Sequence, residues 1–158
     1  MKTKPKGLDR PSTTRIIRVM SAAHTRMYRL TGGRMGKNWR IGSAVRKAAP
    51  VCLLTTRGRK SGQPRTVPLI YLRDGADLVV VASQAGLPNN PQWYGNLQAD
   101  PHVQIELGKR KGDYIAHTAT PDERARLWPR LVALYADYDS YQSWTAREIP
   151  VVICTPAR

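Results

Sequence analysis

The feature that most limits the fold of this 158-residue chain is a series of short β segments joined by turns rather than by helices. Asp74-Gly75 is a β-hairpin signal, and a Gly-Lys-Arg-Lys turn separates two later segments. Hairpins build antiparallel sheets, whereas a doubly wound parallel sheet needs a crossover helix after each strand. The sequence therefore predicts a mainly β protein of the α+β class, a small antiparallel barrel with short helices in the order β-β-β-α-β-β-α-β. The predicted strands are 51–56, 66–72, 77–83, 102–107, 111–118 and 149–155, and the predicted helices cover 91–100, 120–134 and 139–147.

Basic residues are concentrated near the N-terminus. Residues 1–47 contain 13 Lys or Arg and one acidic residue, a net charge of +12, whereas residues 48–158 carry only +3. Because this change in composition coincides with the start of the β segments, we expect two parts in the chain. They are a basic N-terminal segment with an amphipathic helix, residues 1–47, and a β-barrel domain, residues 48–158.

An amphipathic helix is predicted inside the basic segment. Ser12-Thr13-Thr14 would cap its start, and Gly32-Gly33 would end it. Two interpretations of this helix and its apolar stripe stay open: the helix packs on the chain's own domain, or it lies on an anionic membrane surface. Residues 34–47 are predicted to form a linker. The stripe, with spacings of four and three residues, consists of Ile16, Met20, Ala23, Met27 and Leu30.

Several chemistries are disfavoured by what the sequence lacks. Its two cysteines, Cys52 and Cys154, lie in apolar runs and are too few for a disulfide framework or a four-cysteine zinc site. None of its three histidines has a partner at metal-ligand spacing, so no metal site is predicted. There is no G-x-S-x-G motif, and no apolar stretch has the length of a membrane span or a secretion signal. We therefore expect a cytoplasmic protein.

Residues 57–65, Arg-Gly-Arg-Lys-Ser-Gly-Gln-Pro-Arg, form the strongest local motif. Four cations and two glycines share one predicted turn, so backbone N–H groups and guanidinium groups could converge on an anion. The spacing is not that of a Walker loop. An ordinary solvated hairpin turn is the alternative.

Two further features could form a pocket. Ser83 ends the predicted third strand and is followed by a loop that contains Gly86, which would expose a hydroxyl. Aromatic residues recur at Trp93 and Tyr94 and again every three residues near the C-terminus, and they could line a site for a flat substrate or simply pack in the core. Since no convincing acid, base or nucleophile is present, a bound cofactor that performs the chemistry is favoured. The C-terminal aromatic residues are Tyr135, Tyr138, Tyr141 and Trp144.

Together these segments resemble the deazaflavin-dependent nitroreductase family, whose members use coenzyme F420. The matching blocks are LLTTRGRKSGQPRTVPLIYLRDG, VVVAS, NPQWYGNLQADP and YADYDSYQSWTAREIPVVIC, and the resemblance covers about residues 34–156. It implies a split β-barrel like that of flavin reductases and pyridoxamine-phosphate oxidases. It also implies hydride transfer from reduced F420 to a menaquinone-like quinone, a nitroaromatic or nitroimidazole compound, or another electron-poor acceptor.

The resemblance also implies roles for individual residues. Ser83 would polarise the acceptor oxygen, and Tyr138 is a candidate proton donor. The substrate pocket would be formed by Ile70, Tyr135, Tyr138 and Tyr141. Cofactor contacts would come from Arg57, Arg59, Lys60, Ser61, Arg65, Pro68, Ala82, Ser83, Gln84, Trp93 and Asn96.

Three departures from the family pattern concern the site. Ile70 replaces a Tyr of the prodrug-activating member, which puts nitroimidazole reduction in doubt because pocket shape decides it. Gln84 replaces a Lys, and Gln92 replaces a Met. The cationic loop is intact, so F420 remains the expected cofactor.

Other interpretations stay open at this stage. The same fold could bind FMN, or the chain could be a basic membrane-binding or nucleic-acid-binding protein that is not an enzyme. The near-neutral body has no nucleic-acid motif, so we expect no nucleic-acid partner. A homodimer is left open, as is peripheral association with the inner face of the cell membrane through the N-terminal helix.

Overall fold

The structure is a computed structural model, and it describes residues 2–45 and 47–158. Met1 and Arg46 of the predicted basic segment lie outside the described residues. The helices are α1 (Pro11–Leu30), α2 (Gln92–Ala99), α3 (Pro121–Leu134) and α4 (Asp137–Ser143). The strands are β1 (Asn38–Trp39), β2 (Ala49–Arg57), β3 (Pro64–Asp74), β4 (Asp77–Val81), β5 (His102–Leu107), β6 (Arg110–Thr118) and β7 (Val151–Pro156).

Six of the strands close into an antiparallel barrel, which confirms the predicted fold class. Their order is β2-β3-β4-β7-β6-β5, and β5 pairs again with β2 to complete the ring. The seventh strand, β1, adds two residues to β2, with Asn38 opposite Pro50 and Trp39 opposite Ala49. The linker predicted over 34–47 is therefore wrong in part, because β1 and a 3-10 turn at Gly42–Val45 lie within it.

Strand β3 changes partners along its length. Residues 64–70 pair with β2, and residues 71–74 pair with β4. Pro68, opposite Leu53, lies in the half of β3 that has only one neighbouring strand. A proline is tolerated in this half of the strand, since it cannot donate to a second ladder.

Two apolar layers share β4. Leu78, Val80 and Ala82 point into the barrel, where side chains from the other strands and from α2 fill the interior. The alternate residues Val79 and Val81 point outward and are covered by side chains of α3 and α4. This alternation follows from the two-residue period of a strand. A barrel of six strands fills its own interior, so a ligand must bind outside it.

Helix α1 is attached to the barrel through Tyr28 and not through its predicted apolar stripe. Tyr28 is 1% exposed, and its hydroxyl accepts a hydrogen bond from the Gly108 N–H at 2.7 Å. The neighbouring Arg29 forms an ion pair with buried Glu106 on β5. The stripe residues Ile16 and Leu30 are 57% and 79% exposed, so the helix does pack on the chain's own domain, but with a face other than the stripe.

The ends of three elements differ from the prediction. Helix α1 begins at Pro11 after Arg10, with no side-chain cap, so the predicted Ser12-Thr13-Thr14 cap is wrong. Strand β4 ends at Val81, before Ser83, and α4 spans Asp137–Ser143 rather than 139–147. Helix α3 begins with a capping box between Thr120 and Glu123. In the described part of the chain, no helix combines the length and apolarity needed to cross a bilayer.

Candidate active site

The loop between β2 and β3 is compact because two glycines allow a tight backbone path. The Gly58 N–H donates to the Gln63 carbonyl at 2.8 Å, and the Gly62 N–H donates to the Gly58 carbonyl at 2.7 Å. Gly62 has a φ of +69°, a conformation that favours glycine. A Cβ at Gly58 would lie 2.7 Å from Ser61 Oγ. Folding of this loop leaves Arg57, Lys60 and Arg65 exposed.

Arg59 joins this cationic loop to α2. Its backbone N–H and its Nη1 both donate to Oδ1 of Asn96, at 3.2 and 3.1 Å, and Nη1 also donates to the Gln92 carbonyl at 3.2 Å. Asn96 is buried and donates in turn to Thr56 Oγ1 on β2. Close approach of Arg59 also requires Gly95, whose Cβ would lie 3.0 Å from Nη1. Helix α2 and the loop are thus held as one surface.

The loop after β4 has a strained backbone next to Ser83. Gln84 and Ala85 have φ values of +43° and +54°, and among the described residues they alone are left-handed without being glycine. Such conformations cost about 1–3 kcal/mol each and often mark functional sites. Ser83 is half-buried, and within residues 2–45 and 47–158 no hydrogen bond involves its Oγ. The Gln84 Oε1 is buried and has no partner among the described residues.

A group of tyrosines forms a wall beside this loop. The hydroxyls of Tyr135 and Tyr141 lie 3.2 Å apart, and the ring centroids of Tyr135 and Tyr138 lie 5.1 Å apart. Burial raises the pKa of all three tyrosines well above the usual value, and for Tyr135 the hydrogen bond with Tyr141 adds to the rise. The wall is therefore neutral at physiological pH. Ile70 packs against the same cluster from β3.

The serine loop packs directly on the helix that carries Tyr141. Gly86 has a φ of +74°, and a Cβ there would lie 2.8 Å from the Tyr141 carbonyl oxygen and 3.3 Å from the ring of Trp144. Any larger side chain would separate the two segments. Gly86 therefore fixes the distance between the Ser83 loop and the tyrosine wall.

The predicted site residues fall into two groups. The structure brings Arg59 together with Asn96, and it brings the Ser83 loop together with the tyrosine wall. Trp93 is 5% exposed and packs with Ala82 at the barrel interior. Tyr138, 4% exposed, packs between Tyr135 and Tyr141. Binding roles for these buried side chains stay predictions.

Sequence analysis missed two residues of this region. Asp137 is buried, accepts a hydrogen bond from the Ser43 N–H at 2.9 Å and pairs with Lys2 at 2.7 Å. Arg147 reaches the backbone of the Ser83 loop. The sequence signal for Asp137 was weak, an acidic residue two positions after Tyr135. Arg147 had no sequence signal beyond its place in the YADYDSYQSWTAREIPVVIC block.

Comparison with known proteins confirms the family resemblance found in the sequence. The family model of the F420H(2)-dependent quinone reductases matches residues 20–156, which is most of the chain. The chain belongs to this family. A Mycobacterium tuberculosis H37Rv protein, provisionally named as an F420H(2)-dependent quinone reductase, is 50% identical over 117 residues, which is 74% of this chain and 98% of the relative.

Two solved structures are similar to this chain. An F420-H2-dependent reductase, FDR-A, has a TM-score of 0.62 and 39% identity, and the match covers 66% of this chain and 93% of that chain. A domain-swapped dimer has a TM-score of 0.63 and 33% identity over 82% of this chain and 98% of that chain. The F420H2-dependent quinone reductases are oxidoreductases, and the cofactor is reduced coenzyme F420.

The residues present fit this cofactor. F420 carries a phosphate and an oligoglutamate tail, and the exposed cations of the Arg57–Arg65 loop match those charges. Its deazaflavin ring has a pyrimidine N–H donor, and the buried Gln84 Oε1 is an acceptor still without a partner among the described residues. The chain thus offers groups complementary to both parts of the cofactor.

Proposed function

We propose that this chain reduces a quinone with F420H2 at the junction of the Ser83 loop and the tyrosine wall. The observation that carries the proposal is the half-buried Ser83, whose loop packs on α4 through Gly86. The cofactor supplies a hydride from C5 of its deazaflavin ring when it is bound. The chain's own contribution is to bind, orient and stabilise charge.

The cationic loop is proposed to hold the anionic part of the cofactor. Arg57, Lys60 and Arg65 are exposed, and each charge-assisted hydrogen bond is worth about 1.5–3 kcal/mol. Arg59 is already bonded to Asn96, so we propose that it shapes the loop and also contributes its charge. Ser61 Oγ accepts from the Gln63 N–H and completes the turn.

Ser83 and the neighbouring residues are proposed to act on the ring and on the acceptor. Backbone near Pro68 and Ala82, with Trp93 behind it, would support the ring, while Gln84 Oε1 accepts its N–H. The Ser83 hydroxyl would donate to the quinone oxygen that gains negative charge as the hydride arrives. Donors already oriented at such an oxygen contribute about 10²–10³ in rate.

Tyr138 is proposed to supply the proton that completes the hydroquinone. The hydroxyl is protonated at physiological pH, and because burial raises its pKa, the proton leaves only when the hydride has brought negative charge to the acceptor oxygen. Tyr135 and Tyr141, which bond to each other, would orient the acceptor ring together with Ile70. The hydride and this proton together account for the two-electron reduction of the quinone.

The acceptor range is proposed to extend to other flat, electron-poor molecules. A nitroaromatic compound offers oxygens that Ser83 can bond in the same way. Ile70 presents an aliphatic surface where a tyrosine would present a hydroxyl, so bulky nitroimidazoles are expected to react more slowly than quinones. Comparison of menadione with a nitroimidazole in one assay ranks these acceptors.

The deciding experiment measures oxidation of F420H2 by menadione with wild-type protein and with Ser83→Ala. The exposed Ser12, at the start of α1, provides the matched control Ser12→Ala. We expect wild-type turnover, a drop in kcat of about 10²-fold for Ser83→Ala, and no change in the control. Absence of menadione-dependent oxidation by the wild type would reject the proposed function.

The exposed stripe on α1 supports a second proposal, that the chain associates with an anionic membrane surface on its cytoplasmic side. Ile16, Met20 and Leu30 are all more than half exposed, and the helix is strongly basic. At its C-terminal end a cleft of about 780 Å³ is lined by cations, including Arg34 and Lys109. Apolar burial plus cationic attraction of about 1 kcal/mol per residue is the usual basis of such binding.

Vesicle flotation tests the membrane proposal. Wild-type protein should float with vesicles containing anionic lipid at low salt and should not float with neutral vesicles. The double variant Ile16→Gln/Met20→Gln should lose most of this binding while retaining quinone reduction.

A homodimer is a separate proposal, which the domain-swapped dimer among the similar structures supports. Sedimentation of the same protein samples measures the oligomeric state and tests it.

A further inference from the structure

Arg147, in the segment between α4 and β7, directs its guanidinium at the Ser83 loop. Its Nη2 donates to the Ser83 carbonyl at 2.8 Å, and its Nη1 donates to the Ala82 carbonyl at 3.2 Å. Nε donates to the Leu87 carbonyl at 3.0 Å, and Nη1 donates also to Asn90 Oδ1 at 2.8 Å. One side chain thus holds both ends of the loop that follows β4.

This set of contacts explains how the left-handed backbone at Gln84 and Ala85 persists. The two residues lie between the carbonyls that Arg147 binds, so relaxation of either φ would break at least one of its hydrogen bonds. Strained backbone is kept only where the surroundings over-determine it. All four acceptors are neutral, and no ion pair of the described residues includes Arg147. The guanidinium therefore stabilises the backbone of the loop and does not neutralise a carboxylate.

Arg147 is itself fixed to the helix that carries the tyrosine wall. Gln142 on α4 donates its Nε2–H to the Arg147 carbonyl at 2.8 Å, and its Oε1 accepts from the Ile149 N–H at 2.8 Å. Tyr141 is adjacent to Gln142 in the chain. A continuous set of hydrogen bonds therefore connects α4, through Arg147, to the backbone of Ser83.

We propose that Arg147 is a positioning residue for the reduction, which holds the Ser83 hydroxyl and the Gln84 amide in register with the tyrosine wall. The inference rests on the proposed function, since Ser83 and Gln84 are the groups through which it acts. Lysine cannot replace it, because a single ammonium lacks the planar fork that reaches four acceptors at once. Misplacement of a catalytic group by about 1 Å can cost about 10²-fold in rate.

The test compares Arg147→Lys with Arg130→Lys. Arg130 also bonds a backbone carbonyl, but it lies on α3 and pairs with Asp74, away from the loop. Amide hydrogen exchange without cofactor should show faster exchange at residues 83–90 in Arg147→Lys and not in Arg130→Lys. With F420H2 and menadione, kcat should fall about 10²-fold in Arg147→Lys, while F420 affinity changes by less than about 3-fold.

A double variant separates positioning from a general loss of stability. In the Ser83→Ala background, Arg147→Lys should lower kcat by no more than about 3-fold, because the Ser83 hydroxyl, through which Arg147 acts on the chemical step, is already absent, whereas Gln84 is proposed to contact only the cofactor. Equal losses in both backgrounds would overturn the inference, as would unchanged exchange at residues 83–90. If Arg147→Lys does not fold, Asn90→Ala removes one acceptor from an exposed side chain and should give the same pattern with a smaller loss.

The two proposals fail in different ways. Wild-type protein that does not oxidise F420H2 with menadione overturns the proposed function, and the inference is overturned with it. Wild-type turnover that drops with Ser83→Ala but not with Arg147→Lys overturns the inference alone. Faster loop exchange together with a drop in kcat that depends on Ser83 supports both.

Discussion

Oδ1 of Asn96 accepts two hydrogen bonds from Arg59, one from its backbone N–H and one from its guanidinium. The two residues are 37 positions apart, one in the β2–β3 loop and the other on α2. Because the Asn96 side chain is buried and also donates to Thr56, its position is fixed, and movement of the loop would break its hydrogen bonds with Arg59. The cationic loop is thus pre-organised before any anion binds, which lowers the entropy cost of binding.

Asn96→Ala should weaken F420 binding by about 10-fold, because it frees the loop and leaves the Arg59 N–H without this acceptor. Gln98→Ala, on the exposed face of the same helix, is the matched control. Fluorescence titration with F420 measures both. An unchanged F420 dissociation constant for Asn96→Ala would show that the hydrogen bonds between Arg59 and Asn96 are not required for cofactor binding.

Tyr28→Phe should lower the free energy of unfolding of the whole chain by about 1–2 kcal/mol, since the half-buried Gly108 N–H loses its acceptor. Denaturant unfolding, followed by far-ultraviolet circular dichroism and by Trp fluorescence, measures the change. The variant also tests the division at residue 47. A separate first transition for α1 would support two independent parts, and one cooperative transition would join α1 to the barrel.

Asp74→Asn should lower stability at pH 7 by about 0.5–1 kcal/mol, a value typical of partly exposed ion pairs. Hydrogen bonds from Arg126 and Arg130 lower the pKa of Asp74 from 3.8 to about 2. A carboxyl with a lowered pKa in the folded state stabilises the fold above its unfolded pKa, and that contribution is lost as the pH falls. Unfolding curves of wild type and variant should therefore converge between pH 4 and 2, whereas the exposed control Asp113→Asn should show no such convergence.

Ionisation of the buried tyrosines should occur only with alkaline unfolding. Burial raises the pKa of Tyr28, Tyr135, Tyr138 and Tyr141, so the folded chain keeps protons that the unfolded chain has lost above about pH 10. Their contribution to stability is complete below that pH and disappears as the pH rises. Phenolate absorbance at pH 10 should be clearly lower in native protein than in denaturant. Equal phenolate absorbance in native and denatured protein at pH 10 would contradict the burial of these tyrosines.

Local sequence patterns predicted the elements and their order, but not the contacts that join distant segments. Hairpin signals and the capping box at Thr120 depend on neighbours in the chain, and each is present in the structure. The two residues of β1 carry no pattern of their own and become a strand only by pairing with β2. The strand predicted as far as Ser83 ends early because Gln84 and Ala85 turn left-handed in a tertiary setting.

The same distinction applies to the candidate site. The cationic loop could be found from its composition, since charge and glycine content are local properties. Arg147 could not, because its acceptors are mainly backbone carbonyls, and every residue type has one. The face through which α1 docks was missed for a related reason. Docking depends on Tyr28 meeting Gly108, 80 positions away, and on a face of the helix that is not its most apolar one.

Strand β4 sends alternate residues into two layers, Leu78 and Val80 toward the barrel interior and Val79 and Val81 toward the tyrosines. The barrel interior and the layer that contains the proposed acceptor pocket therefore share a backbone but no side chains. Substitutions on the outer face can reshape the acceptor pocket while the interior packing stays as it is. Related chains can thus diversify in the molecules they reduce and keep one barrel and one cofactor.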